Sequence, residues 1–123
     1  MPKTVLSVDD SPSIRQAVNL TLGSKGYVVR EAGGGKQALQ ICAAEPVHLV
    51  ITDLNMPEMD GIELIRHIRA LSAHRFTPIL MLTTESQADK KSQGKAAGAT
   101  GWIVKPFTPD QLVAVVQRVL PPG

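Results

Sequence analysis

Residues 100–107 read Thr100-Gly101-Trp102-Ile103-Val104-Lys105-Pro106-Phe107. A short apolar run of strand length stops at a lysine, and the proline after it cannot donate to a sheet ladder. Apolar runs of the same kind occur upstream at Val5–Val8, Tyr27–Val29, Leu49–Ile51 and Ile79–Leu82, separated by stretches with helical spacing. In those stretches Ile14/Val18, Leu39/Cys42, Leu64/Ile68/Leu71 and Leu112/Val115/Val116/Val119 repeat at about one helical turn. The alternation predicts a βα repeat. Strands with apolar residues on both faces suit a parallel sheet covered by helices on each side.

Helix starts are marked independently of periodicity. Asp60-Gly61-Ile62-Glu63 offers a side-chain acceptor at the N-cap with a carboxylate three residues later, and Thr108-Pro109-Asp110-Gln111 adds a proline at the first helical position. The first helix is expected to start at Asp10-Ser11-Pro12 in the same way. Gln87–Ala97 is the weakest helix: Gly94 interrupts a polar, lysine-rich stretch with little apolar face, which predicts a short or mobile element. Pro121-Pro122-Gly123 ends the last helix.

A chain of 123 residues fits one domain, which can bury roughly two-thirds of its unfolded surface. The expectation is a single domain over 1–123. An apolar fraction of 43% with 20% charged residues excludes disorder. Thirteen Lys and Arg against eleven Asp and Glu leave a net charge of +2, and the basic residues are scattered, a poor footprint for nucleic acid. The N-terminal apolar run is too short for a secretory signal and no later run approaches the ~18 residues of a membrane span, so a cytoplasmic soluble protein is expected. Cys42, the only cysteine, sits in a helical pattern and reads as a small core residue.

In a parallel α/β sheet the carboxyl ends of the strands share one edge, where ligands usually bind. The residues arriving there are Asp9 and Asp10 after the first strand, Asp53 after the third, Thr83 and Thr84 after the fourth, and Lys105 after the fifth. Singly, each has an ordinary reading: capping for Asp9 and Asp10, a turn for Asp53, a solvated surface position for Lys105. Jointly, three carboxylates at one edge repel, and a hard divalent cation such as magnesium would keep them ionised. Magnesium beside a carboxylate suggests phosphoryl chemistry, in which the carboxylate itself can be the nucleophile and form an acyl phosphate. Lys105 would pair with a phosphate oxygen and Thr83 would donate a hydroxyl hydrogen bond.

This arrangement resembles the receiver domain of two-component response regulators over essentially the whole chain. The acidic pair Asp9-Asp10, the stretch Ile51-Thr52-Asp53-Leu54-Asn55-Met56-Pro57-Glu58-Met59-Asp60-Gly61, the strand-end Thr83 and the dipeptide Lys105-Pro106 match the family's four ordered motifs. The resemblance implies a flavodoxin-like, doubly wound (βα)5 fold with five parallel strands in the order 2-1-3-4-5 known for chemotaxis receivers, an order that periodicity does not yield. It implies Asp53 as phosphoacceptor, Mg2+ held by Asp10 and Asp53 with the Asn55 carbonyl and, through water, Asp9. It further implies catalytic Thr83 and Lys105, a cis peptide before Pro106, and Thr83 with Trp102 as the switch pair. Asn55 and Glu85 stand where the family tunes dephosphorylation. Thr83-Thr84-Glu85-Ser86 and the stretch from Gly94 to Phe107 look most like stand-alone, CheY-like chemotaxis regulators without an output domain.

The implied partners are a chemotaxis-type histidine kinase as phosphodonor, a protein target on the face formed by residues 87–120, with the flagellar motor switch as candidate, and a phosphatase. No nucleic acid or membrane partner and no oligomer is expected. The apolar band of the last helix, widened by Val113 and Leu120, fits either that target or a broad core contact. A single-domain phosphorelay intermediate and a receiver cut from a larger regulator give the same motifs. A haloacid-dehalogenase-type phosphohydrolase needs a second Asp two residues after its nucleophile, where Asn55 stands, and an FMN carrier would be repelled by Asp9-Asp10. Gly33-Gly34-Gly35-Lys36 lacks the length and the following Ser or Thr of a phosphate loop and reads as a flexible turn. His48, His67 and His74 lack metal-ligand spacing and are expected to be solvated or capping.

Overall fold

Strands and helices alternate strictly in a computed structural model that describes residues 2–84 and 88–121. The order is β1 (Thr4–Val8), α1 (Pro12–Gly23), β2 (Val28–Ala32), α2 (Gly35–Ala44), β3 (Leu49–Asp53), α3 (Gly61–Ala70), a 3-10 turn (Ser72–His74), β4 (Ile79–Thr83), α4 (Ala88–Ala97), β5 (Gly101–Val104) and α5 (Pro109–Val119). The strands form one parallel sheet in the order β2-β1-β3-β4-β5, the flavodoxin-like order.

Strand alternation divides the core in two. Leu6, Val8, Val50, Ile79 and Met81 join the α2 and α3 residues Ile41, Leu64, Ile65 and Ile68. Val5, Leu49, Ile51, Leu80, Leu82 and Ile103 face the other way, onto Val18 and Leu22 of α1 and Leu112 and Val116 of α5. Every residue of β3 and β4 is buried, as continuous apolar runs require. Edge strand β2 departs from that pattern: Val28, Arg30 and Glu31 are exposed because only β1 borders it. Tyr27, read from sequence as its start, precedes it, and the buried hydroxyl donates to the Leu120 carbonyl at 2.6 Å, tying β2 to the end of α5. Leu120 is buried and Val113, Val115 and Val119 pack partly buried against the core, so the broad apolar band of α5 is a core contact.

Helix starts follow local chemistry. Ser11 caps α1 ahead of Pro12, the Asp60 carboxylate accepts from Glu63 N–H at 2.8 Å, and Thr108 with Gln111 forms a reciprocal capping box. Gly35 and Lys36 lie inside α2, which corrects the turn expected across Gly33–Lys36: a Cβ at Gly35 would crowd Met59, so a helix start with no side chain packs there.

The weak helix forms as α4, with Gln87 outside the described residues, and it presents hardly any apolar side chain to the sheet. Gly94 is buried in its C-terminal half, and a Cβ there would overlap the Met81 sulfur, so the helix backbone rests directly on β4. Its C-terminal end is held by Arg69 of α3, whose Nε and Nη2 donate to Gly98 O at 3.1 and 2.8 Å. Nη1 of the same guanidinium donates to His74 O at 2.8 Å and Thr77 O at 2.6 Å, so main-chain carbonyls satisfy this partly buried cation. His74 corrects the expectation of a solvated or capping histidine. It is buried, with Nδ1 2.9 Å from the Thr77 hydroxyl and Nε2 2.9 Å from Cys42 O, and the acceptor-only carbonyl makes Nε2 the protonated nitrogen. His48 Nδ1 accepts from Thr4 N–H at 2.9 Å, and His67 is exposed.

Candidate metal and phosphoryl site

The strand order reverses between β2-β1 and β1-β3, and such a switch point opens a crevice at the carboxyl ends of the strands. Asp9 and Asp10 leave β1 there and Asp53 ends β3 beside them. Each of the three offers a carboxylate oxygen, all within 4.8 Å of one another; Asp9 and Asp53 are buried and Asp10 is exposed.

Asp9 is tied at nearly every polar atom. Its N–H donates to Ala32 O at 3.1 Å, its carbonyl accepts from Arg15 Nη1 at 2.6 Å, and Oδ1 accepts from Ser11 N–H at 2.9 Å. Oδ2 alone has no hydrogen bond, and the nearest cation, Lys105 Nζ, stands 3.6 Å away. Burial pushes the Asp9 carboxyl above its ordinary range, and the nearby Asp53 and Asp10 charges add to that. The Ser11 N–H and the Lys105 ammonium pull in the opposite direction.

Asp53 is positioned by its neighbours in the chain. The Thr52 hydroxyl donates to the Asp53 carbonyl at 2.9 Å, and Gly61 N–H donates to Leu54 O at 3.0 Å. Gly61 opens α3 so close to the strand end that a Cβ would overlap the Asp53 carbonyl oxygen and stand 3.0 Å from Leu54 Cα. Between these anchors the loop carries Glu58 at φ 70°, a left-handed conformation uncommon outside glycine. Lys105 arrives from β5, two strands away. Its N–H donates to Thr83 O, which extends the β4–β5 ladder, and its Nζ reaches Asp53 Oδ1 at 2.9 Å. The Lys105–Pro106 peptide is cis.

The structure therefore brings together Asp9, Asp10, Asp53 and Lys105. Thr83 ends β4 fully buried, and its hydroxyl hydrogen-bonds nothing among the described residues. Asn55 is exposed in the loop after Asp53, with no side-chain hydrogen bond to the acids, and Glu85 lies outside the described residues. Trp102 on β5 is 42% exposed, and the Lys91 ammonium of α4 lies 5.0 Å from its ring centroid. Arg15 and Gly61 were not singled out from sequence as site residues. An arginine one turn into an amphipathic helix carries no local mark, and Asp60-Gly61 read as a cap conceals the close approach.

The donor set is entirely oxygen, which suits a hard divalent cation, and the unpaired buried Asp9 Oδ2 is the kind of atom such an ion satisfies. The three acids are the one grouping of three or more candidate ligands among the described residues. Three carboxylates with a single ammonium set between two of them make an oxygen-donor cluster that could hold a metal ion.

Comparison with known proteins agrees. Residues 5–117 match the family model described as the response regulator receiver domain. Two structures of the chemotaxis response regulator CheY4 of Vibrio cholerae share 50% sequence identity, cover 98% of this chain and 100% of theirs, and superpose with TM-scores of 0.94 and 0.93. A response regulator structure from Chloroflexus aurantiacus is 37% identical, with a TM-score of 0.91 and 98% of each chain covered. The transcriptional regulatory protein SrrA of Staphylococcus aureus is 33% identical over 120 residues, which cover 98% of this chain and 48% of SrrA. The chain thus spans about half the length of the curated relatives it matches. On its fold, the edge that carries its acids, and these matches, the chain belongs to the response regulator receiver domain family of two-component signalling.

Proposed function

We propose that the chain is a phosphorylation-activated chemotaxis-type regulator, a single receiver over 1–123, in which Asp53 takes a phosphoryl group from a histidine kinase with Mg2+ bound. Receiver domains are signalling modules that receive phosphoryl groups from histidine kinases. The observation that carries the assignment of Asp53 is its 2.9 Å contact with Lys105 Nζ inside a three-carboxylate cluster. Lys105 occupies Oδ1 and leaves the second carboxylate oxygen to attack phosphorus, while the P–N bond of the phosphohistidine breaks and an acyl phosphate forms. Asp10 and Asp53, with the Asn55 carbonyl and Asp9 behind them, would hold Mg2+, which when bound neutralises charge on the phosphoryl oxygens. Lys105 then donates to a phosphoryl oxygen instead of the bare carboxylate.

The buried, unbonded Thr83 hydroxyl supplies the switch. An unsatisfied buried donor costs about 1–3 kcal/mol, and a phosphoryl oxygen on Asp53 would relieve that by drawing Thr83 toward it. Trp102 can then turn into the space released, leaving its contact with Lys91, worth about 0.5–1 kcal/mol at an exposed site. The surface altered comprises α4, β5 and α5, where a protein target such as the flagellar motor switch would bind. Asn55 and Glu85 tune hydrolysis by water or a phosphatase, and the setting is the cytoplasm.

Chemotaxis is supported by the CheY4 structures, which cover 98% of this chain at 50% identity. A receiver belonging to a longer transcriptional regulator or a phosphorelay is the second reading, supported by the SrrA match. Acetyl phosphate with magnesium should modify the wild type and leave Asp53→Asn unmodified; equal incorporation in that variant moves the acceptor elsewhere. Transfer from a chemotaxis kinase, with motor-switch binding gained on beryllofluoride activation, decides between the two readings, since a transcriptional receiver would gain no such binding.

A further inference from the structure

Arg15 reaches the main chain beside the acid cluster from α1. It sits one turn into α1, its side chain 19% exposed, and directs Nη1 to the main-chain carbonyl of Asp9 at 2.6 Å and Nε to Glu31 Oε1 at 3.3 Å. The second Glu31 oxygen accepts from Asn19 Nδ2 at 2.9 Å, so the carboxylate at the end of β2 is braced by α1 and in turn orients the guanidinium. None of these contacts touches a carboxylate of the acid cluster. What Arg15 grips is the peptide between Asp9 and Asp10. Because a peptide is planar, fixing that carbonyl fixes the plane from which the Asp10 Cα projects, while Ala32 O holds the other side of Asp9. Asp10 is the exposed member of the cluster and carries no other described tether, so its aim depends most on the peptide before it.

We infer that Arg15 is a positioning residue for the cation site, acting through the Asp9–Asp10 peptide, with Glu31 as its holder. The inference rests on the reading that Asp9, Asp10 and Asp53 bind magnesium. Its sign sets it apart from a field effect. A cation brought near a cation site repels the ion, so by charge alone removal of Arg15 tightens magnesium binding. Removal of a positioning contact loosens it.

The test is isothermal titration of magnesium chloride into the full chain as wild type, Arg15→Ala, Arg15→Lys and Asp10→Ala, with urea unfolding in chelator to follow the fold of each. Arg15→Ala should raise the magnesium dissociation constant about tenfold, the scale of outer-sphere partners in metal sites. Arg15→Lys, which retains a donor for the carbonyl, should recover part of that loss, whereas damage to packing alone would not track the donor. Magnesium bound by Arg15→Ala as tightly as by wild type, or more tightly, overturns the assignment, as does an Arg15→Lys no better than Arg15→Ala. Asp10→Ala separates the two levels: if it binds as tightly as wild type, the magnesium reading itself falls; if it is weakened while Arg15→Ala is not, only the role of Arg15 falls.

Discussion

Gly61→Ala puts the packing of the site to a direct test. At Gly61 the three atoms nearest the added methyl are all main chain: it overlaps the Asp53 carbonyl oxygen and lies 3.0 Å from Leu54 Cα and 3.1 Å from Asp53 C. No side chain can swing away, so either α3 withdraws from the end of β3 or the strand end bends, by about 1 Å to restore contacts of ordinary length. Overpacking of this kind costs about 1–3 kcal/mol, against a helix-propensity gain below about 1 kcal/mol at a first-turn position. The net loss is about 1–2 kcal/mol, which lowers the urea midpoint by about 0.5–1 M. On heating, the same loss corresponds to roughly 3–10 °C for a chain of this size. Urea unfolding followed by circular dichroism measures it. Gly34→Ala is the comparator, because a Cβ there meets nothing within 4 Å and its φ of −173° is ordinary extended backbone; it should stay within about 0.5 kcal/mol of wild type. The displaced atoms belong to Asp53 and its neighbour, so magnesium affinity should fall in Gly61→Ala as well. A Gly61→Ala midpoint equal to that of Gly34→Ala would refute the close approach of α3 to Asp53.

Asp9→Asn should stabilise the metal-free protein at neutral pH. Burial raises the Asp9 carboxyl above 3.8, so the unfolded chain releases this proton first and stability falls as pH climbs from 3.8 through the folded-state value. The penalty persists above that window and vanishes below it, so unfolding in chelator should show the advantage of Asp9→Asn at pH 7 and none below pH 3.8; a constant advantage would assign it to something other than ionisation. Tyr27→Phe should cost about 1–2 kcal/mol by leaving the Leu120 carbonyl without its donor, and an unchanged unfolding midpoint would remove that bond from the account of how α5 is fastened.

The strands, the capped helix starts at Asp60 and Thr108, and the meeting of Asp9, Asp10, Asp53 and Lys105 at one edge were legible because each depends on a short local pattern plus the rule that parallel strands end together. What stayed hidden depends on distances between segments far apart in the chain. Periodicity indicates which face of an element is buried but not which element covers it, so the strand order came from resemblance. The burial of His74 needs Cys42 O, 32 residues earlier, to meet its ring. The Arg15 contact needs the strand end to turn its carbonyl toward α1. The exposure of β2 follows from its edge position, which its composition does not announce.

The attachment of α4 has a mechanical consequence. Arg69 grips Gly98 at one end of this helix, Gly94 lies against Met81 near the same end, and little apolar surface holds the remainder. A ten-residue helix is about 15 Å long, so a tilt of about 10° about the gripped end sweeps the other by roughly 2.6 Å. The end that travels is the one the chain reaches after Thr83, and the fulcrum lies on the side remote from it in sequence. α4 is thus held like a lever, fastened at Gly98 and Gly94, with its longer and more loosely held arm on the side that follows the end of β4.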